Sequence, residues 1–410
     1  MSTYQEIVAR EQKFLLNTYS RYPLAIARGK GVYVYDVEGR RYLDFLTGLG
    51  VNALGHAHPR IVKAIRDQAA KVIHVSNLYY NEYQGLLAEK LCTASGLDRA
   101  FFCNSGTEAI EGALKLVRAA GHTISPEKSV VIALDNSFHG RTMGALALTG
   151  QPKYRKDFDP MLEGVRFVPR NDVDALRAAM DERICAIVLE PIQGEGGIQE
   201  TTPEFLRACR ELADQHQAAL IFDEIQCGLG RTGRLFAFEH FGVKPDVLCI
   251  AKPLAAGLPL GAFLAKEHFA QHITPGKHGT TFGGGPLTCR VALEYLAIIE
   301  DENLLERVRR VGAYLSQKLR EFVDKFDIAV EARGVGAIQA LQLNIPGKPI
   351  MDGALENGLL ISVTQENVLR FLTPYLLEEK HVDSGMRTLR KQLVAAQKQA
   401  KQEKKAAVSA

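Results

Sequence analysis

Short apolar runs alternate with helical patterns of apolar and polar residues from about residue 100 onward. The apolar runs are RAFFCNS, SVVIALDN, ICAIVLEP, AALIFDE, DVLCIAK and LGAFLAK. Between them lie amphipathic segments such as EAIEGALKLVRAAG and PEFLRACRELADQHQ. Strands that alternate with helices in this way form a mainly parallel sheet covered by helices. The pattern therefore predicts an α/β fold.

The chain before residue 100 and after residue 290 follows a different pattern. GVYVYDVEGRRYLDFL predicts a hairpin that turns at Glu38 and Gly39, and HPRIVKAIRDQAAKV predicts a helix. Two helical stretches, short strands such as IQALQLNI and a final helix follow residue 290. We predict an N-terminal segment that contributes to a small domain (1–55), a large domain (56–290), a C-terminal small domain (291–385) and a basic tail (386–410).

Polar residues follow several predicted strands at their carboxyl ends. They are Asn104 with Ser105, Asp135 with Asn136, Glu190, Asp223 with Glu224, and Lys252. Because ligands of open α/β sheets bind beyond the carboxyl ends of the strands, we expect these side chains to meet at one site. Asp223 and Lys252 are 29 positions apart, the length of one strand–helix–strand unit, so we expect them to be neighbours in the sheet.

Composition narrows the class of protein. The 410 residues are 46% hydrophobic and 24% charged, which is typical of a globular chain long enough for a large core. The net charge of +3 and the lysine-rich last residues favour neither nucleic-acid nor membrane binding, since such tails are usually solvated helix ends. The sequence has no signal-peptide pattern and no apolar run of about 18 residues. We expect a cytoplasmic protein.

The spacing of cysteines and histidines gives little support for a metal site or for disulfide bonds. The seven cysteines are irregularly spaced without a Cys-x-x-Cys pair, which favours reduced thiols over a disulfide framework or a zinc site. His56 and His58 of GHAHP lack a third ligand at a useful spacing, so a turn into the next helix is the better explanation. We predict no metal site.

Two glycine-containing stretches are candidate phosphate sites. In NSGTEAIEGALKLVRAAG, Ser105 and Glu108 have the spacing of a helix cap, but free amides at a helix N-terminus also suit a phosphate. GLGRTG (228–233) matches G-x-G-x-x-G and leaves a nicotinamide-dependent oxidoreductase as an alternative. A glycine-rich loop is the better interpretation of GLGRTG, because DEIQC separates it from the strand and Asp246 precedes the next strand.

Lys252 is the one charged residue in VLCIAKPLAAGLPLGAF (247–263). A buried ammonium is costly unless it loses its proton or finds a partner, and an ion pair with Asp223 is one explanation. A pyridoxal 5′-phosphate site is another, because that cofactor needs a lysine, a carboxylate for its ring nitrogen, and amides and hydroxyls for its phosphate. A cofactor-free binding protein that keeps only the fold is a further alternative.

The chain resembles the class III pyridoxal-phosphate-dependent aminotransferases, and among them the acetylornithine branch. The motifs that carry the resemblance run in family order over about residues 15–380: NTYSRYPLAIARGKGVYVYDVEGRRYLDFL, NALGHAHP, FFCNSGTEAIEGALKLVR, SFHGRT, LEPIQGEGG, IFDEIQCGLGRTG, AKPLAAGLPLGA, HGTTFGGGPLTC and VLRFLTP. The resemblance implies fold type I, with a seven-stranded sheet in the large domain and a smaller α+β domain. It also implies transfer of the terminal amino group of N-acetylornithine to 2-oxoglutarate, for arginine biosynthesis. Ornithine, succinylornithine, N-acetyl-lysine-type compounds and 4-aminobutyrate are alternative donors.

The resemblance also assigns roles to single residues. Lys252 is expected to bond to the cofactor and carry a proton, and Asp223 to keep the ring nitrogen protonated. Further cofactor contacts are expected from Ser105, Gly106, Thr107, Phe138, Gln226 and, from the neighbouring subunit of a homodimer with shared sites, Thr281. Substrate carboxylates are expected to bind Arg141, helped by Thr280 and Tyr19, and Arg370, with which Glu195 pairs until a dicarboxylate arrives.

Two places depart from the family pattern. Pro253 follows Lys252 where many relatives have Ala or Gly, and Thr373, Pro374 and Tyr375 replace a PPL run near Arg370. Neither change removes a catalytic group, but the second one bears on substrate preference.

Overall fold

The computed structural model describes residues 3–409 and confirms the predicted α/β fold. Its strands are β1 (Ile26–Lys30), β2 (Tyr33–Asp36), β3 (Arg41–Asp44), β4 (Arg99–Cys103), β5 (Val130–Leu134), β6 (Val165–Val168), β7 (Ile184–Leu189), β8 (Ile192–Gln193), β9 (Gln199–Glu200), β10 (Ala219–Asp223), β11 (Val247–Ile250), β12 (Gly261–Ala265), β13 (Ala329–Val335), β14 (Ile338–Leu343), β15 (Leu359–Leu360), β16 (Ser362–Thr364) and β17 (Val368–Leu372). Its helices are α1 (Tyr4–Phe14), α2 (Thr47–Gly50, a short turn with left-handed backbone), α3 (Pro59–Ala69), α4 (Glu82–Ser95), α5 (Gly106–Ile124), α6 (Met143–Ala147), α7 (Val173–Ala179), α8 (Pro203–Gln215), α9 (Glu267–Ala270), α10 (Pro286–Asp301), α11 (Leu304–Lys325), α12 (Lys348–Glu356) and α13 (Glu379–Ser409). Short 3-10 turns cover Pro152–Tyr154, Ala237–His240 and Lys252–Ala255.

The large sheet has seven strands in the order β4-β12-β11-β10-β7-β5-β6. The strands β11, β10, β7, β5 and β6 pair in parallel, whereas β12 is antiparallel to both β11 and β4. The chain between β11 and β12 is too short for a helical crossover, which explains why β12 reverses direction. The prediction of a mainly parallel sheet is confirmed.

Helices cover both faces of this sheet. Leu220 and Phe222 of β10 belong to the apolar core on one face, and Ile221 between them belongs to the core on the other. Alternate side chains of a strand point to opposite faces, so an uninterrupted apolar run such as ALIF is what a doubly covered strand requires.

Two smaller sheets use the ends of the chain. The order of one is β13-β14-β17-β16, and the order of the other is β1-β2-β3-β15. The predicted hairpin is confirmed as β2 and β3, and β3 pairs in parallel with β15, which joins the N-terminal segment to the C-terminal part. The domain boundaries themselves stay predictions. Helix α13 runs without a break through residue 385, where we placed one of them.

The helices of residues 3–409 do not include one that is both long enough and apolar enough to cross a lipid bilayer.

Candidate active site

A cavity of about 420 Å³ opens beyond the carboxyl ends of the strands of the large sheet. Its size falls in the range of small-molecule sites. Many of the predicted site residues line it: Ser105, Gly106, Thr107, Phe138, Arg141, Glu195, Asp223, Gln226 and Lys252. Asn104 and Glu190 also line it, whereas Asp135, Asn136 and Glu224 are not among the lining residues.

Lys252 begins the short turn after β11 and lies among apolar groups of the cavity wall. Burial lowers the pKa of its amine below the ordinary value, although the carboxylates of Glu195 and Asp223 act in the opposite direction. Among the ion pairs of residues 3–409, none includes Lys252, so the explanation as an ion pair with Asp223 is not supported. A lowered pKa increases the unprotonated fraction, which is the form that attacks a carbonyl or takes up a proton.

Asp223 ends β10, the parallel neighbour of β11, as we expected from the spacing, although a short 3-10 turn (Ala237–His240) stands in the connection where we expected a helix. Both of its oxygens are held: Oδ1 accepts the amide of Ile225 at 3.0 Å, and Oδ2 lies 2.7 Å from Nδ1 of His139. The ring of His139 is fully buried, and burial lowers its pKa, but Asp223 outweighs this effect and the net shift is upward. Asp223 therefore points into the cavity as an oriented acceptor.

His139 was missed by our sequence interpretation, although it lies within the quoted SFHGRT motif. Its partner Asp223 is 84 positions away, and the fold alone brings the two together. The Nε2 atom of His139 is buried and has no hydrogen-bond partner among the described residues.

The start of α5 supplies an anion site at one end of the cavity. Ser105 caps the helix, because its hydroxyl accepts the amide of Glu108 at 3.4 Å. The amides of the first turn have no partner within a helix, so capping and anion binding are compatible. A Cβ atom at Gly106 would approach the side chain of Ile225 to 2.8 Å, so a larger residue here requires Ile225 or the backbone to shift.

The SFHGRT loop forms the adjacent wall. The guanidinium of Arg141 lies 4.2 Å from the ring centroid of Tyr154 and 5.6 Å from that of Phe138. The hydroxyl of Thr107 accepts the amide of Arg141 at 3.3 Å, which ties this loop to the start of α5. Arg141 is exposed and extends toward the mouth of the cavity, where a planar fork can bind a carboxylate.

Glu195 lines another side of the cavity and pairs with Arg370, which is buried and is not itself a lining residue. The Nη1 atom of Arg370 lies 2.5 Å from Oε1 of Glu195 and 3.3 Å from the carbonyl oxygen of Gly194, and its Nε donates to Ser362 at 3.2 Å. Burial alone raises the pKa of Glu195, but Arg370 more than compensates, and the net shift is downward. Glu195 and Arg370 thus form a closed, ionised pair, and the guanidinium of Arg370 is buried.

Gln226 follows Asp223 by three positions and faces the same cavity. Its Nε2 lies 3.4 Å from Oε1 of Glu195, and its Oε1 is buried without a hydrogen-bond partner in the described part of the chain. An unpartnered buried oxygen on a cavity wall is costly unless a ligand satisfies it.

Four predicted residues are not among those that line the cavity: Arg370, Thr280, Thr281 and Tyr19. The hydroxyl of Thr280 accepts from the side chain of Asn104 at 3.2 Å, which brings it close to the wall. Thr281 is exposed, and Tyr19 is 71% exposed in the N-terminal segment. The structure thus does not bring Thr281 and Tyr19 to the site within one chain.

The GLGRTG loop serves the fold. Arg231 in its centre is fully buried and donates to the carbonyl groups of Gly50, Ala337 and Thr373. A dinucleotide cannot approach a loop whose arginine is enclosed in this way. Within residues 3–409 no cluster of three metal-binding side chains is found, and all seven cysteines are free.

The wall residues fit pyridoxal 5′-phosphate on structural grounds. A buried lysine with a lowered pKa and an oriented carboxylate lie in the same cavity, and a helix N-terminus suits the phosphate. The unpartnered Oε1 of Gln226 supplies a polar group that a ligand can satisfy.

Comparisons with known proteins agree with this description. The family model described as Aminotransferase class-III matches residues 16–393. The chain is 47% identical over 380 residues to the acetylornithine aminotransferase of Methanocaldococcus jannaschii, covering 92% of this chain and 96% of the relative. It is 45% identical over 378 residues to the acetylornithine aminotransferase of Aquifex aeolicus, covering 92% of this chain and 99% of the relative.

Solved structures show the same likeness. The ornithine aminotransferase of Toxoplasma gondii ME49 superposes with a TM-score of 0.93 at 34% identity, over 97% of both chains. Another structure of the ornithine aminotransferase from T. gondii has partial occupancy of pyridoxal phosphate at its active site. The acetylornithine aminotransferase of Elizabethkingia anophelis superposes with a TM-score of 0.86 at 31% identity, over 96% of this chain and all of the other.

Proposed function

Because the chain belongs to the class-III aminotransferases, we propose that it transfers the terminal amino group of N2-acetyl-L-ornithine to 2-oxoglutarate. The products are N-acetylglutamate 5-semialdehyde and L-glutamate, and the reaction serves arginine biosynthesis. The observation that carries the proposal is the identity of 42–47% to curated acetylornithine aminotransferases over more than nine-tenths of the chain. A cytoplasmic location stays a prediction.

Each substrate is proposed to bind through its own arginine. Arg141 at the mouth is proposed to bind the α-carboxylate of acetylornithine, which leaves the terminal amine to extend toward Lys252. Arg370 is proposed to bind the α-carboxylate of glutamate once Glu195 has moved away. While acetylornithine is bound, Glu195 neutralises Arg370, so the buried guanidinium does not attract the wrong carboxylate.

The residues around Lys252 are proposed to hold pyridoxal 5′-phosphate, the cofactor of this family. When bound, it supplies a ring that accepts the electron pair left on the donor carbon after deprotonation. Lys252 would hold the cofactor, and the lowered pKa of its amine would suit it to take the proton from the donor carbon. Asp223 would keep a proton on the ring nitrogen, and the start of α5 would bind the phosphate.

A homodimer is proposed to complete the site. Leu78, Tyr79, Tyr80 and Phe282 are 65–105% exposed, which is unusual for such large apolar side chains. They lie on adjoining segments, because the side chain of Asn77 donates to the carbonyl oxygens of Thr280 and Gly283. Thr281, next to Phe282, points outward and is proposed to reach the phosphate of the neighbouring subunit.

Ornithine is the second candidate donor, because the T. gondii ornithine aminotransferase superposes with a TM-score of 0.93. Single-turnover spectra with acetylornithine, ornithine, succinylornithine, 4-aminobutyrate and glutamate separate these donors. We expect acetylornithine and glutamate each to convert the yellow, cofactor-loaded protein. Conversion by ornithine with acetylornithine inert would overturn the choice of donor.

The cofactor site has its own test. Borohydride reduction of the loaded protein should attach the cofactor to the peptide that contains Lys252, as detected by mass spectrometry. The Lys252→Ala variant should remain unlabelled there. Labelling at another lysine would contradict the assignment of Lys252.

A further inference from the structure

Glu190 is a buried carboxylate in the cavity to which the reaction as described gives no task. It follows β7 directly, is 5% exposed and lines the cavity. Among the ion pairs of residues 3–409, none includes Glu190. A buried carboxylate without a cation costs stability, and such costs are typical of functional sites.

The two oxygens of Glu190 hold two different loops. Oε2 accepts the amide of Phe138 at 2.9 Å, and Oε1 accepts the amide of Gly194 at 3.2 Å. Burial raises the pKa of this carboxyl to about 7, against the influence of His139 and the two amides. One side chain thus links the Phe138 wall to the Gly194 loop.

Gly194 connects this carboxylate to the Glu195–Arg370 pair. Its carbonyl oxygen accepts from Nη1 of Arg370 at 3.3 Å, and the same Nη1 lies 2.5 Å from Oε1 of Glu195. A Cβ atom at Gly194 would lie 1.9 Å from Oε1 of Gln226, so the loop is confined on that side as well. The backbone of Gly194 is therefore fixed by Glu190 at its amide and by Arg370 at its carbonyl.

We propose that Glu190 is a positioning residue that holds the Gly194–Glu195 segment in the closed arrangement with Arg370, and so sets the balance between the two substrates of the enzyme. The proposal rests on the proposed function, because it concerns the two half-reactions of that function. In the closed arrangement the pair favours the amine donor, whose carboxylate binds elsewhere. Glutamate must open the pair, so a looser segment favours glutamate.

The isosteric variant Glu190→Gln tests this proposal. A glutamine offers one oxygen, and we expect that oxygen to keep the shorter bond to Phe138, which leaves its NH₂ group facing the amide of Gly194. Two donors then oppose each other, and the segment loses one charge-assisted hydrogen bond. Each half-reaction is measured separately by rapid-mixing absorbance, and the ratio of kcat/KM for acetylornithine to kcat/KM for glutamate is compared with wild type.

We expect this ratio to fall about tenfold, the effect of one hydrogen bond to a charged group. The fall should include a lower KM for glutamate, with cofactor absorbance unchanged. Because Phe138 lies beside Arg141, a disturbance there would raise the KM for acetylornithine, so the lower KM for glutamate is the result that identifies a looser Gly194–Glu195 segment. An equal loss in both half-reactions, or no change in either, would overturn the proposal.

Two further variants keep the test decisive. Thr201→Val removes the bond from the Thr201 hydroxyl to the backbone oxygen of Glu190 and leaves the carboxylate alone, so the ratio should stay within about twofold of wild type. If Glu190→Gln does not fold, Glu190→Asp should shift the ratio in the same direction, because the shorter carboxylate cannot reach both amides. If wild type proves inert with acetylornithine, the proposed donor fails, and the ratio is measured with the ω-amine that wild type accepts.

Discussion

Single side chains in the cavity owe their chemical states to what lies within hydrogen-bonding distance. Burial lowers the pKa of Lys252, whereas Arg370 keeps Glu195 ionised despite its burial. Asp223 has no freedom to rotate, since Ile225 and His139 each hold one of its oxygens. These states arise from contacts between residues far apart in sequence.

Variants of His139 test whether its hydrogen bond to Asp223, and not only the volume of its ring, supports catalysis. His139→Leu removes the donor to Oδ2 and leaves the carboxylate oxygen without its partner, so kcat should fall at least about tenfold. His139→Asn places an amide N–H near the position of Nδ1 and should recover part of the loss. Steady-state kinetics at saturating cofactor measure both variants, and equal losses would contradict the role of the hydrogen bond.

The sequence could identify Lys252, Asp223 and the SFHGRT and QGEGG motifs, because each carries a local pattern or a family resemblance. It could not identify His139 as the partner of Asp223, or Glu190 as the link between two loops. Histidines and glutamates at strand ends are common, and only the packing of β5, β7 and β10 side by side gives these two their partners.

The strands of the large sheet differ in how clearly the sequence pattern predicts them. Six strands of the large sheet are continuous apolar runs, and their prediction is confirmed. The seventh strand, β6, was not among the predicted runs, because it is a four-residue edge strand and three of its residues are only half-buried. An edge strand needs less apolar surface, so its pattern is weaker.

The first turn of α5 offers a test of the anion site. In Gly106→Ala the new methyl group would come within 2.8 Å of the Ile225 side chain, and relieving that contact should move the backbone amides. We expect the affinity for pyridoxal 5′-phosphate to fall about tenfold, as for one lost bond to a charged group. Absorbance titration of the cofactor-free protein measures this affinity. Activity should return at high cofactor concentration, and a permanent loss would indicate misfolding instead.

Glu224 is a buried carboxyl group that holds the turn at Ala237–His240. Its two oxygens accept the amides of Ala237 and Phe238 at 2.6 and 2.7 Å, and burial raises its pKa to about 8. A raised folded pKa contributes stability below the unfolded value of about 4.5, and this contribution is lost as the pH rises through about 8.

Melting temperatures of wild type and Glu224→Gln should therefore converge or cross as the pH rises. Glutamine does not titrate, so the wild type should lose stability relative to the variant between about pH 5 and pH 9. Because glutamine offers one oxygen acceptor fewer, the variant also differs from wild type by a shift in melting temperature that does not depend on pH. A constant difference across this range would show that Glu224 does not titrate as expected.

The whole molecule brings three parts of the chain to one buried guanidinium. Arg231 from GLGRTG donates to Gly50 of the N-terminal segment, and to Ala337 and Thr373 of the C-terminal part. The motif G-x-G-x-x-G thus has a structural reason here: the loop must turn tightly to bury an arginine. Sequence reasoning could disfavour a dinucleotide site, but it could not find these three carbonyl groups, because every residue has a backbone carbonyl and the sequence does not show which ones accept.

The proposed dimer predicts that catalysis depends on a surface outside the cavity. Phe282 is 65% exposed and its ring lies 5.1 Å from that of His74, so Phe282→Asp places a charge in the middle of the exposed apolar patch. An uncompensated charge in a buried interface is costly, and the variant should sediment as a monomer in analytical ultracentrifugation. Because Thr281 would then no longer reach a neighbouring site, cofactor affinity should fall with the dimer fraction.

Val394→Asp is the matched control, since Val394 is 53% exposed on α13, away from the patch, and should leave sedimentation and cofactor affinity unchanged. A Phe282→Asp variant that stays dimeric and binds cofactor as wild type does would show that this patch is not the shared interface.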